Sequence, residues 1–135
     1  IKKLKKTFLM VAGGAVQKYG PQLEEHQQLL IAAADILIEI YMAESAILRT
    51  EKNVKRTNQE EQSAQIAMAK LYLYHAVDTV EQKGKESIIS FAEGDEQRMM
   101  LMGLKRFTKY TNYPDIVDLR IEIAEKVKEE NSYCF

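Results

Sequence analysis

The chain has 135 residues, 46% of them hydrophobic and 29% charged, which is the composition of one folded domain with a core of its own. Its formal net charge of -1 creates no general attraction for nucleic acid, so we expect no nucleic-acid partner. The one cysteine, Cys134, cannot form an internal disulfide or supply the ligands of a zinc site, and it fits a reducing compartment.

The first predicted element is a helix over residues 1–20, in which apolar residues recur at steps of three and four. Gly13 and Gly14 interrupt this helix at a cost of about 1 kcal/mol each relative to alanine. Such a pair is tolerable where another helix packs closely against it. Gly20 and Pro21 predict the end of the helix, with the glycine as its cap.

The opening IKKLKKTFLMVAGGAV superficially resembles a secretory signal, with lysines, a short apolar run and small residues. The apolar residues continue at helical spacing into VQKYG, however, and the chain does not begin with methionine. We therefore expect Ile1 to be an internal residue of a longer chain, with the first helix truncated at its start. No stretch approaches the roughly 20 uninterrupted apolar residues that a membrane span requires.

A second helix is predicted over residues 22–54, where no helix breaker occurs. Its stretch LLIAAADILIEIYMAESAIL is apolar around most of the circumference, which is typical of a helix buried on several sides at the centre of a bundle. The polar sequence KNVKRTNQEEQ then predicts an exposed helix end and a loop. Thr57 or Asn58 is the expected cap of the next helix, with Glu60 and Glu61 in its first turn.

Three further helices complete the pattern. The third carries an apolar stripe and is expected to end at Lys83-Gly84-Lys85, followed by the short segment ESIISFAEG. Asp95 is the expected N-cap of the fourth helix, and the fifth follows TNYP. The sequence therefore predicts an all-α fold, an antiparallel bundle of about five helices, with residues 1–135 forming a single domain.

Three carboxylates on the second helix, Asp35, Glu39 and Glu44, raise the hypothesis of a di-iron centre. Such a centre needs a glutamate three residues before a histidine on each of two helices. Neither His26 nor His75 has a glutamate at that position. We therefore predict no metal site and interpret the carboxylates as hydrogen-bonded or ion-paired groups in a bundle seam.

Catalytic chemistry has little support in the residues. His75 lies three residues before Asp78, a spacing that could orient a general base, but no nucleophile or oxyanion group accompanies it. A structural histidine is the favoured interpretation. The glycine pair matches neither a dinucleotide fingerprint nor a phosphate loop, so we predict no catalytic and no cofactor-binding residue.

The stretch EGDEQRMMLMGLKRFTKY, residues 93–110, joins a methionine-rich patch to a basic end. The lysines at positions 2, 3, 5 and 6 could join its cations in one surface that contacts an anionic membrane, and a solvated helix face is the ordinary alternative. The candidate residues for contact with a membrane or a partner are Arg98, Lys105, Arg106 and Lys109.

The same region, FAEGDEQRMMLMGLKRFTKY (residues 91–110), resembles the tail of bacterial acyl-CoA dehydrogenases that carry an extra C-terminal domain, as in the very-long-chain type. LIEIYMAESAILRTEK, residues 37–52, and the final ENSYCF resemble that tail as well. The resemblance extends from KTFLMVAGGAVQKYG to Phe135, which is nearly the whole chain.

This resemblance implies the C-terminal accessory domain of a cytoplasmic, FAD-dependent acyl-CoA dehydrogenase of fatty-acid β-oxidation. It implies that the domain packs on the catalytic core, which holds the flavin and the catalytic glutamate, and that it is no enzyme alone. For the very-long-chain type it also implies a homodimer and contact with the inner face of the membrane. The methionines are then expected inside the tail bundle or against the core, with the four candidate cations facing outward.

Two alternatives remain open from the sequence. One is a free-standing helical protein-interaction module that uses the methionine-rich helix and requires a start codon directly before Ile1. The other is a peripheral membrane-association domain that uses the basic residues.

Overall fold

The computed structural model describes residues 1–58 and 62–131 of the chain. All regular structure in these two ranges is helical, so the predicted all-α fold class is confirmed. The elements are α1 (Lys2–Tyr19), a 3₁₀ segment (Gly20–Glu25), α2 (Gln27–Arg56), α3 (Ser63–Phe91), α4 (Gly94–Thr108) and α5 (Ile116–Glu130).

The break between α1 and α2 lies at Gly20, where the sequence predicts it. Gly20 has a φ of 52°, in the left-handed region that strains residues with a Cβ, and its N–H donates to the carbonyl of Val16. Pro21 then fits the first turn of the 3₁₀ segment, where its missing N–H costs nothing. Because this segment turns the chain first, α2 begins at Gln27, later than predicted.

The chain divides into two compact units, and α2 and α3 each contribute to both. Unit 1 comprises Ile1–Tyr41 and Ala76–Tyr110, and unit 2 comprises the described parts of Met42–His75 and Thr111–Phe135. Unit 1 therefore holds α1, the 3₁₀ segment, α4, the first half of α2 and the second half of α3. Unit 2 holds the remaining halves of α2 and α3 together with α5.

Unit 1 has a core to which every one of its α-helices contributes. The buried residues recur at steps of three and four along α1 and α2, which is the spacing of one helix face. The buried hydroxyls of Ser87 and Thr108 donate to carbonyls four residues earlier and are thereby satisfied. Large apolar members of this core are Leu4, Val11, Leu29, Ile36, Ile40, Val77, Val80, Ile88, Phe91 and Leu104.

The side chains buried in unit 2 are much smaller than those buried in unit 1. Its buried hydrophobic residues in the described part of the chain are three alanines, Ala43, Ala64 and Ala67. A hydrogen bond of 2.9 Å from Nδ2 of Asn53 to Oε1 of Gln65 links α2 to α3. Its larger apolar side chains are only half-buried, among them Ile47, Val54, Ile66, Leu73, Ile116, Leu119 and Ile123.

The predicted end of the third helix at Lys83-Gly84-Lys85 is wrong. α3 continues through these residues to Phe91, so most of ESIISFAEG belongs to the helix. A Cβ on Gly84 would lie 2.9 Å from Cδ1 of Leu104 in α4 and 3.6 Å from Cγ2 of Thr7 in α1. Gly84 therefore allows three helices of unit 1 to approach closely, and it does not break α3.

The predicted N-cap of the fourth helix is also wrong. α4 begins at Gly94, and Glu93 occupies the N-cap position without a capping hydrogen bond from its side chain. Asp95 lies inside the first turn, next to Glu96, where both carboxylates face the positive end of the helix dipole.

At the start of α3, the structure tests the predicted N-cap residues but not the predicted acidic first turn. Thr57 donates its N–H and its hydroxyl to the carbonyl of Asn53, each at 3.0 Å, so Thr57 belongs to the end of α2. The helix α3 begins at Ser63, too far along the chain for Thr57 or Asn58 to cap it. The predicted acidic first turn at positions 60 and 61 lies outside the described residues.

Candidate docking surfaces

Helices α1 and α4 pack against each other in unit 1 and run in opposite directions. A Cβ on Gly14 would lie 2.9 Å from Cε of Met100, and one on Gly103 would lie 3.0 Å from Sδ of Met10. Positions further along α4 therefore contact positions nearer the start of α1, so the two helices are antiparallel. Close helix packing against the glycine pair is confirmed at Gly14, whereas Gly13 has open space around it.

The antiparallel arrangement places the lysine-rich start of α1 beside the end of α4. The helix α1 contains no acidic residue, and its lysines at positions 2, 3, 5 and 6 are exposed. In α4 the last turn is basic, and a further lysine follows it. We call this cluster the basic end of unit 1, and it consists of Lys2, Lys3, Lys5, Lys6, Lys105, Arg106 and Lys109.

The four predicted contact residues are all exposed, but they are not all together. Lys105, Arg106 and Lys109 lie within about one helical turn, at the basic end. Arg98 lies seven residues before Lys105, which is about 10 Å along the helix axis. Its Nη1 pairs with Oδ1 of Asp95 at 3.5 Å, and both side chains are so exposed that the pair stabilises α4 little.

The methionines of α4 divide between two faces. Met100 is half-buried against Gly14, in agreement with the expected packing inside the bundle. Met99 and Met102 are 63% and 64% exposed, so that expectation is wrong for these two residues. Contact with a part of a longer chain is the expectation that remains for them. Because α4 buries the face that carries Leu104, Met99 and Met102 lie on the outside with the cations.

Helix α2 is apolar on two opposite sides in unit 1, yet only one side is buried. Leu29, Ala32, Ile36 and Ile40 face the core. The opposite side exposes five large apolar side chains, by 42% to 67%. The prediction that this helix is buried on several sides is therefore wrong for unit 1 of this chain. We call the exposed side the outer face of α2, and it consists of Leu30, Ile31, Leu37, Ile38 and Tyr41.

The polar groups singled out in the sequence have structural surroundings. Oδ2 of Asp35 lies 3.2 Å from Nζ of Lys83, an ion pair of the kind expected for this carboxylate. The His26 ring lies 3.7 Å from the Tyr19 ring, and the exposed His75 ring lies 5.6 Å from the Tyr74 ring. Within residues 1–58 and 62–131, no three acidic, histidine or cysteine side chains group so as to hold a metal ion.

Unit 2 contains an open apolar groove between its parts of α2 and α3, with a volume of about 460 Å³. Its wall includes the half-buried Ile47, Val54, Ile66 and Leu73. The hydroxyl of Thr50 donates to the carbonyl of Ala46 at 2.9 Å, so this polar group of the wall is already satisfied. The sequence indicates these residues only as helix stripes, because the size of a gap between two helices depends on their packing.

None of the helices in the described part of the chain combines the length and the apolar character needed to cross a bilayer.

Residues 3–106 match the sequence profile of a family described as "Acyl-CoA dehydrogenase, C-terminal domain". The chain belongs to this family. The match includes α2, α3 and nearly all of α1 and α4, and thus the outer face of α2 and five of the seven residues of the basic end.

Two bacterial proteins are similar to this acyl-CoA dehydrogenase C-terminal domain over nearly its whole length. A "Probable acyl-CoA dehydrogenase" of Bacillus subtilis (strain 168) is 35% identical over 133 residues, which is 98% of the chain and 22% of that protein. The crystal structure of an acyl-CoA dehydrogenase complexed with FAD from Bacillus anthracis matches with a TM-score of 0.95 and 37% identity. That match covers 99% of the chain and 23% of the Bacillus anthracis chain. The chain thus spans less than a quarter of the length of these relatives.

The glycine pair of α1 does not form a dinucleotide-binding loop. Protein loops that bind a dinucleotide pyrophosphate use glycines at the start of a helix, where backbone N–H groups are unpaired. The adjacent pair Gly13 and Gly14 lies in the interior of α1, where the N–H groups belong to the helix. The side of Gly14 is moreover filled by Phe91 and Met100.

Proposed function

We propose that the chain is the accessory domain of a longer, FAD-dependent acyl-CoA dehydrogenase, and that it packs on the catalytic part of that protein without being catalytic alone. One observation carries this proposal: the chain matches, almost completely, less than a quarter of two acyl-CoA dehydrogenases. The Bacillus anthracis protein is a complex with FAD, which supports FAD as the cofactor of the parent protein.

In this proposal the flavin, the acyl-CoA and the catalytic base bind outside residues 1–135, and these residues act together as one domain. FAD would supply the acceptor for the two hydrogens removed from the acyl chain, and the residues of this chain would take no part in that chemistry. Their contribution is to cover and stabilise the part that binds the flavin.

The test compares the 135-residue chain with the full-length product of its gene. We expect the full-length protein to be yellow and to oxidise acyl-CoA, and the chain alone to be colourless and inactive. Flavin absorbance and acyl-CoA-dependent reduction of an electron acceptor measure the two properties. A chain that retains flavin by itself would refute the placement of the cofactor. A start codon directly before Ile1 would instead favour the free-standing interaction module.

The very-long-chain subtype and the homodimer belong to the same proposal, on the strength of the quoted sequence resemblance. Both are properties of the full-length protein. Its preference among acyl-CoA chain lengths tests the subtype, and its mass by sedimentation equilibrium tests the homodimer. A short-chain preference would reject the subtype, and a monomer at high protein concentration would reject the dimer.

Contact with an anionic membrane is a second candidate function, and the basic end of unit 1 favours it. Seven cations lie at the basic end, and α1 contributes no acidic residue to it. Met99 and Met102 add exposed apolar surface on α4, the helix that also carries Lys105. Surfaces that combine cations with exposed apolar side chains bind the headgroup region of anionic bilayers. In this proposal the protein is cytoplasmic and touches the inner face of the membrane.

Liposome sedimentation tests the membrane contact. We expect salt-sensitive binding to vesicles rich in anionic lipid, and loss of binding when Arg98, Lys105, Arg106 and Lys109 are all replaced by glutamine. The matched control replaces four exposed cations of unit 2 by glutamine, namely Lys52, Lys55, Arg56 and Lys70, and changes the net charge equally. Equal losses of vesicle binding in the two variants would show that binding depends only on the net charge. This result would reject the basic end as the membrane contact.

A further inference from the structure

The outer face of α2 is an apolar surface without a partner in unit 1. Leu30, Leu37 and Tyr41 follow one another at steps of seven and four, and Ile31 and Ile38 lie beside them at a step of seven. The five side chains thus form one continuous ridge along about three turns of the helix. Exposed apolar ridges of this extent mark sites of interaction with another protein surface or a membrane.

The charges of α2 do not suit an anionic membrane. From Gln27 to Leu48 the helix contains three carboxylates and no cation, and Arg49 is its first basic residue. Amphipathic helices that bind anionic lipid place lysine or arginine beside their apolar face. The basic end of unit 1 has this pattern and the outer face of α2 does not.

The same charges do not favour a second copy of the chain. A two-fold dimer would bring the same surface of two copies together, and with it the carboxylates of both α2 helices. Like charges that oppose each other across an interface are unfavourable. A partner surface with a different sequence avoids this repulsion.

The relatives indicate where such a partner lies. The Bacillus anthracis chain contains this fold, at a TM-score of 0.95, as 23% of its length. The other three quarters therefore supply a large protein surface within the same chain. We infer that the outer face of α2 is buried against an apolar surface of the flavin-binding part of the parent protein. This inference rests on the proposed function.

Site-specific photo-cross-linking of the full-length protein tests this inference. A benzophenone amino acid replaces Ile38 at the centre of the outer face, and Ile31 at its edge in a second variant in case the central probe disturbs docking. The control replaces Leu9, which is also exposed and apolar in unit 1 but lies on α1. Equal amounts of ¹⁵N-labelled and unlabelled protein are mixed, so that mass spectrometry separates cross-links within a chain from cross-links between chains.

We expect positions 38 and 31 to cross-link within the same chain to peptides outside residues 1–135, and position 9 to give no such product. Cross-links to residues 1–135 of another copy would overturn the inference in favour of a dimer. The absence of any product at both α2 positions would also overturn it, as would a gene product without further protein sequence beyond residues 1–135.

The flavin content and acyl-CoA oxidation of the same preparations keep the two proposals apart. If the expected cross-links form in a protein that neither holds flavin nor oxidises acyl-CoA, the interface stands and the proposed function fails. If an active, yellow protein gives none of them, the function stands and the outer face is not the interface.

Discussion

A Cβ on Gly84 would lie 2.9 Å from Cδ1 of Leu104, which is closer than side chains approach in folded proteins. Leu104 is only 2% exposed, so its side chain has little room to move away. Replacement of Gly84 by alanine therefore forces the contact between α3 and α4 apart. Overpacking costs about 1–3 kcal/mol, against a gain of about 1 kcal/mol from the better helix propensity of alanine. We expect Gly84→Ala to lower the free energy of unfolding by about 1 kcal/mol, measured by urea denaturation.

Gly13→Ala is the matched control for this prediction. Nothing lies within 4 Å of an added Cβ at Gly13. The residue is exposed to solvent and lies away from both ends of α1. The helix propensity then acts alone, and we expect a stability gain of about 0.5–1 kcal/mol. Equal gains in both variants would show that Gly84 makes no close contact.

Gly84 also explains why the sequence predicts the helices better than their ends. Gly20 and Gly84 look alike in the sequence, and each stands beside a residue that fits a helix end. Gly20 ends α1 because Pro21 follows it and a positive φ is available to it. Gly84 lies inside α3 because Leu104 requires its space, and Leu104 is a neighbour that only the packing reveals.

For the docking surfaces as well, the sequence predicts the residue types, whereas the packing determines which of them lie together. The four candidate cations are recognisable in the sequence, and their exposure follows from the apolar stripe of α4. The approach of the α1 lysines to Lys105 depends on the antiparallel packing of two helices, which residue spacing does not specify. Apolar periodicity likewise identifies both sides of α2. It does not indicate which side is covered by the chain itself, so Leu37 and Ile36 cannot be told apart before the fold is known.

The ion pair between Asp35 and Lys83 joins α2 to α3 in unit 1, and we expect it to stabilise the fold weakly. The two side chains are 38% and 33% exposed, so water screens the attraction across the 3.2 Å separation. A double-mutant cycle with Asp35→Asn and Lys83→Met should give a coupling of about 0.5 kcal/mol. The coupling should decrease at high salt. A value that is unaffected by salt would contradict this electrostatic interpretation.

Asp115 caps α5, and we expect its loss to destabilise unit 2. Oδ1 of Asp115 accepts hydrogen bonds from the N–H groups of Val117 and Asp118, at 3.0 and 3.1 Å. Asp115→Ala leaves both groups to solvent and should cost about 1 kcal/mol of unfolding free energy in chemical denaturation. Asp115→Asn retains a side-chain acceptor and should cost only a few tenths of a kcal/mol. A cost for asparagine equal to that for alanine would contradict capping by the side-chain oxygen.

The carboxyl of Glu130 provides a prediction for pH. Nζ of Lys126 donates a hydrogen bond of 2.7 Å to Oε1 of Glu130, and this bond, with the attraction between the two charges, lowers the pKa of Glu130 below its ordinary value of 4.5. A carboxyl with a lowered pKa in the folded state stabilises the fold above its unfolded pKa. That contribution is lost as the pH falls through the folded value. The stabilisation by this pair should therefore be complete at neutral pH and disappear only in acid.

An NMR titration of the Glu130 side chain measures this shift directly. In Lys126→Gln the charge and the ammonium donor are both absent, so we expect the pKa of Glu130 to return towards its ordinary value. High salt in the unsubstituted protein should remove the charge attraction and leave the hydrogen bond, so the return should be only partial. Because the hydrogen bond is the larger cause, the shift from salt should be smaller than the shift from the substitution. If Lys126→Gln left the titration of Glu130 unchanged, Lys126 could not be the cause of the lowered pKa.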